Sequence, residues 1–193
     1  MSKFNIPAIG ISACMLALAS TVAYADSKLD NFQIHTGDLS KNTAIHVHTF
    51  STSEADLGNP KFRDTARTMA KSAPHLLAAD IVEALRRAGF TAVTLDESEG
   101  EPSGEALNLT GSFTKLNPGS QNLRLWIGLG AGESQVCISG ELTNSSGSKL
   151  ADFSDCRNGL GWGSSAPQGD KGAVVLGDHV AGGLIDWAER PAN

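Results

Sequence analysis

The residues with types and spacing suited to chemistry are few. His46 and His48 form an H-x-H within an alternating stretch, Ala44 to Phe50, which places both imidazoles on one strand face as two potential metal ligands. A third ligand would have to come from elsewhere, with His35, Asp38, His75 and His179 as candidates; without one, the pair reads as two solvent-facing strand histidines. Gly128-Leu129-Gly130-Ala131-Gly132 looks like a phosphate loop, but such a loop follows a strand and opens a helix whose amides receive the anion. Here a strand follows and the Walker lysine is missing, so no nucleotide is expected, and the glycines read as shaping a backbone bend. Asp96, Glu97, Glu99 and Glu101 lack the D-x-D-x-D-G spacing of a calcium loop and read as a solvated acidic turn. Ser, His and acid residues are all present, but no G-x-S-x-G elbow marks a nucleophile. No catalytic residue, metal or cofactor is expected.

The chain opens with Lys3, runs through an apolar stretch from Phe4 to Val22 and reaches Ala23-Tyr24-Ala25, followed at once by Asp26. This is the pattern of a secretory signal peptide, residues 1–25, cleaved after Ala25. Ile11-Ser12-Ala13-Cys14 also resembles a lipoprotein signal, but the residues after Cys14 stay apolar where a polar tether is usual. Without Lys3, 14 basic side chains face 21 acidic ones, a net charge of −7. That balance argues against nucleic acid, and no polybasic cluster is seen that would attract anionic lipid. Cys137 and Cys156 remain in a chain bound for an oxidising compartment, where a disulfide is the expectation.

Behind these residues stands one domain, residues 44–193, preceded by a polar arm, residues 26–43, expected to be a tether or loosely docked. Ala44 to Phe50 is the first strand. Lys61 to Ala88 is helical, with Leu77, Ile81, Leu85 and Ala88 on one stripe; Pro74 is expected to divide it, and Gly89 to cap it in the left-handed region. Phe90 to Asp96 is a second strand, so that strand, helix and strand can form a crossover in one sheet. Leu107, Leu109, Gly111 and Phe113 alternate with polar residues in the clearest strand of the chain.

Ser134 to Thr143 alternates again, and after a turn at Asn144 to Gly147 the segment Ser148 to Cys156 returns beside it. For the apolar faces to coincide, Ala151 and Phe153 must share a side with Val136 and Ile138. That register places Cys137 and Cys156 together on the other face, opposite or one diagonal step apart. A final helix from Asp170 to about Glu189 is expected to bury Val174, Ala181, Ile185 and Ala188, its glycines letting it lie close to the sheet. The fold class is α/β, a single mixed, largely antiparallel sheet with helices packed mainly on one face.

The stretch from Leu109 to Leu150 carries a G-x-F strand (Gly111, Phe113), a Pro-Gly-Ser turn (118–120), Arg124, a G-x-G-A-G bend (128–132) and a strand ending in a turn. In these features the chain resembles the bacterial envelope family known as domain of unknown function 4410. It is also similar to YajG-like lipoproteins and, more distantly, to the curli-secretion lipoprotein family. The resemblance implies a small α/β envelope protein, frequently a lipoprotein, with no established catalytic residues.

Two classes of function follow. The first is a non-enzymatic protein of the periplasm or outer membrane, acting on an unknown envelope protein or on the outer-membrane surface. Its candidate contact segment is the ribbon bearing Arg124, Trp126, Gly128, Gly130 and Gly132, although the same apolar side chains can also complete the protein's own core. The second is a small metal-binding protein or metal-dependent enzyme using His46 and His48.

Overall fold

A computed structural model describes residues 28–91, 93–95, 105–119, 134–158 and 168–191. Its elements, in chain order, are β1 (Asn31–Ile34), β2 (Ile45–Val47), a short 3-10 turn (Pro60–Phe62), α1 (Arg63–Arg87), β3 (Val93–Leu95), β4 (Leu107–Asn117), β5 (Gln135–Thr143), β6 (Lys149–Asn158) and α2 (Gln168–Ala188). The six strands form one sheet in the order β1-β6-β5-β4-β2-β3. β1, β6, β5 and β4 each run antiparallel to the next, whereas β2 runs parallel to both β3 and β4, so the expected β2-α1-β3 crossover and the mixed, largely antiparallel sheet are both present.

In β5 and β6, Ile138 faces Asp155, Gly140 faces Phe153 and Leu142 faces Ala151. The apolar faces therefore coincide as the alternation requires, and α1 and α2 cover that side. A bulge between Phe113 and Lys115 returns Leu116, and not Lys115, to the buried face of β4. On this face Gly111 lies directly opposite Gly140, with the Phe50 ring over the first and the Phe153 ring over the second. A Cβ on Gly140 would stand 2.6 Å from the Thr110 carbonyl oxygen as well as against the Phe153 ring. Gly140→Ala is expected to lower stability by about 1–3 kcal/mol through overpacking; a urea midpoint equal to the wild type would show that the ring moves aside freely.

Three local expectations are corrected. α1 is a single 25-residue helix that runs through Pro74. Proline there removes one backbone hydrogen bond and costs about 3 kcal/mol in an isolated helix, but Ala73, Pro74, Leu77 and Ala78 are all buried, and tertiary packing holds the helix together across the break. Gly89 ends it as expected, at a φ of 92°.

The arm is not a tether. Residues 31–34 form edge strand β1 on β6, Leu29 and Leu39 are buried, and Phe32 packs edge-on against Trp187. The buried stripe of α2 is Ala173, Leu176, Val180, Leu184 and Trp187, rotated from the expected one; Ala181 is shared, while Val174, Ile185 and Ala188 are only half-buried. α2 is amphipathic toward α1 and the arm as well as the sheet. Gly177 lies against Asp80 and the Leu77 carbonyl of α1, and Gly183 against Leu29 and Phe32.

Candidate functional site

β2 lies between β4 and β3, level with Asn108 and Thr94 at His46. His46 is buried at 3% exposure, and its ring stacks on that of His48 with centroids 4.4 Å apart and planes 9° from parallel. His48 Nε2 donates to the Asn108 side-chain oxygen at 3.0 Å. The reading of two solvent-facing histidines is thus corrected for His46, because a strand with neighbours on both sides is covered in a way that its own alternation does not reveal. Two of the candidates for a third ligand go elsewhere: His35 pairs with Asp152 next to β1, at the far edge from β2, and His179 pairs with Asp155. Among the described residues no group of three potential ligands could hold a metal ion.

Cys137 and Cys156 are direct partners in the β5–β6 register and are joined by a disulfide with Cα atoms 4.1 Å apart. Of the two placements open to them, the directly opposed one is realised. The bridge lies on the face away from the helices. There the register also aligns Ser112, Ser139, Ser154 and Asn31 in one row across four strands, the floor of a trough of about 600 Å³. In the next row Glu141 faces Asp152, an unfavourable like-charge pair that Lys149 and His35 relieve, one on each carboxylate.

The densest polar group lies on the other face, at the same end of β6. Asp155 and Arg157 continue the alternation of Ala151 and Phe153, so β6 points an acid and a base into the core. The Asp155 side chain is fully buried. Its Oδ2 accepts from Arg157 Nη2 at 2.7 Å and lies 2.7 Å from Nδ1 of His179 on α2. Arg157 Nη2 also donates to the Lys28 carbonyl at 3.1 Å, while Asp30 accepts from the Cys156 backbone N–H at 3.1 Å. One guanidinium therefore ties β6, α2 and the N-terminal arm together. Sequence reading missed this cluster; its signal was the appearance of charge at the two positions where the period-2 pattern of β6 demands apolar residues.

A second charged group lies on the seam between the helices. Glu83 and Asp178 share Arg87, at 3.0 and 3.9 Å, and Asp80 lies beside Gly177. Burial, with Asp178 and then Glu83 adding to it against the opposing Arg87, raises the Asp80 carboxyl to about 6. Native protein then holds a proton between about pH 4 and 6 that unfolded chain has released, so stability falls as pH rises through this window and is flat above it. Asp80→Asn is expected to abolish that slope and to raise stability at pH 7 by about 1–2 kcal/mol, less than the full linkage value because the side chain keeps some solvent contact. Urea melts of both proteins at pH 4.5 and 7 check this; parallel pH dependences would refute it.

A set of basic side chains also lines the start of α1. Lys61, Arg63, Arg67 and Lys71 are exposed, and the helical period brings the last three, spaced four apart, onto one side of α1.

Arg124, Trp126, Gly128, Gly130 and Gly132 lie outside the described residues, as do the leader with Cys14 and the acidic turn from Asp96 to Glu101. Residues 37–163 match the family described as Domain of unknown function (DUF4410), two thirds of the chain. The chain belongs to this family. No curated protein matches it. Two solved structures share the DUF4410 chain's fold, both of PelC dodecamers from Paraburkholderia phytofirmans. One, in space group P6, is 16% identical with a TM-score of 0.52, covering 83% of this chain and 99% of that one. The other, a point variant in space group C2, is 17% identical with a TM-score of 0.50, covering 83% and 98%.

Proposed function

We propose that this DUF4410 protein is a non-enzymatic, exported protein of the cell envelope that works through surface contacts, with other copies of itself, with an envelope partner or with the outer-membrane surface. The observation that carries the reading is the likeness over nearly the whole length of PelC, whose copies assemble into a dodecamer. The cross-strand disulfide and the Ala-x-Ala leader support export.

Cell fractionation with mass spectrometry of the purified protein tests the export step. The expected result is an envelope protein beginning at Asp26. An acylated Cys14 would replace the soluble form by a lipid-anchored one, and a retained leader in the cytoplasm would defeat the reading.

A further inference from the structure

The stripe on α1 is out of place by the rules that stabilise helices. Lys61 and Arg63 stand at the N-terminal end, where the helix dipole disfavours cations, and Asp64 is the one acid of the first turn. Arg67 pairs with Asp64, and Lys61, Arg63 and Lys71 have no ion-pair partner among the described residues. Three of four cations within eleven residues, in a chain that is acidic overall, thus present charge that the fold itself does not pair.

The seam group has the opposite deficit. Glu83 and Asp178 share the single guanidinium of Arg87, and beside them Asp80 keeps a buried Oδ2 with no hydrogen-bond partner among the described residues. Glu83 and Asp178 are 70% and 48% exposed, open to a group arriving from outside. Even Lys71, the nearest of the stripe, stands about 18 Å from Glu83 along the same helix at 1.5 Å per residue, so no side chain of one copy can bring its own stripe to its own Glu83. A second copy can.

We infer that the Arg63–Arg67–Lys71 stripe of one copy docks on the exposed Glu83–Asp178 pair of the next. The two patches are different surfaces, so the contact is heterologous and joins copies head to tail, closing into a ring where the rotation permits. Guanidinium groups suit the task because they meet carboxylates in a two-pronged geometry. The net negative charge of the chain works against an anionic lipid surface as the occupant. The inference rests on the reading of the protein as one that acts through contacts between copies.

Sedimentation velocity of the purified exported protein, at about 50 and about 500 mM salt, tests it. The wild type is expected to form a multimer at low salt that dissociates at high salt. Arg63→Glu/Arg67→Glu/Lys71→Glu should be a folded monomer, with cooperative melting and its dissociation constant raised at least about tenfold. The milder Arg67→Gln/Lys71→Gln should shift the equilibrium the same way. Mixing the triple variant with Glu83→Lys/Asp178→Lys, each monomeric alone, should restore pairing. A multimer indifferent to these changes would overturn the assignment of the surfaces while leaving self-assembly intact. A wild type monomeric at every concentration would overturn the copy-to-copy reading itself. Capture of a monomeric wild type on phosphatidylglycerol vesicles, lost in the triple variant, would assign the stripe to lipid headgroups instead.

Discussion

Asp155→Ala is expected to destabilise the protein by about 3–5 kcal/mol, the largest effect of any single change considered. The substitution removes the carboxylate that faces Arg157 and His179, leaving a guanidinium in a site where Asp155 itself has no solvent contact. Breaking a buried pair costs more than the pair contributes, because Arg157, whose side chain is only a quarter exposed, is left with Asp30 at 3.9 Å as its carboxylate and regains only part of its hydration. The same reasoning predicts that replacing the whole group, Asp155→Leu with Arg157→Met and His179→Leu, recovers most of the loss. Arg157 also holds the Lys28 carbonyl, so the single variant should expose the arm: amides of residues 31–34 should exchange faster than those of β4. Urea denaturation measures the stability, and hydrogen exchange the arm. A loss below about 1 kcal/mol would mean that water already reaches this group.

Removal of the disulfide comes next. With 19 residues separating Cys137 and Cys156, Cys137→Ser/Cys156→Ser is expected to lower stability by about 3 kcal/mol, chiefly by freeing the unfolded chain. The folded structure should change little, because β5 and β6 stay paired from Gln135↔Asn158 to Thr143↔Lys149 without it. Wild-type protein denatured without reductant should take up no maleimide. Two reactive thiols would mean that the bridge is absent from the exported protein, and equal urea midpoints for the two proteins would mean that it contributes nothing to stability.

Together these two variants separate the faces of β6: one perturbs the side that meets α2 and the arm, the other the side away from the helices. If the arm loosens in Asp155→Ala but not in the cysteine variant, Arg157 holds it. If it loosens in both, the position of β6 itself does.

What the sequence alone determined was local. Alternation in residues 107–113, 135–143 and 149–156 placed β4, β5 and β6, chose the face each turned inward and put Cys137 and Cys156 on one side, because a strand's period of two fixes the face; that they stand directly opposite was decided by the pairing itself. The stripe Leu77, Ile81 and Leu85 and the cap at Gly89 placed α1 in the same way. The tertiary structure alone decided whatever depends on neighbours distant in the chain. His46 is buried because strands flank β2 on both sides, α1 survives Pro74 because the core holds both halves, and residues 31–34 become a strand because β6 offers an edge. The meeting of Asp155, Arg157 and His179, and the separation of basic stripe from acidic seam, have the same origin. A side chain's period says which way it points, and only packing says what it meets there.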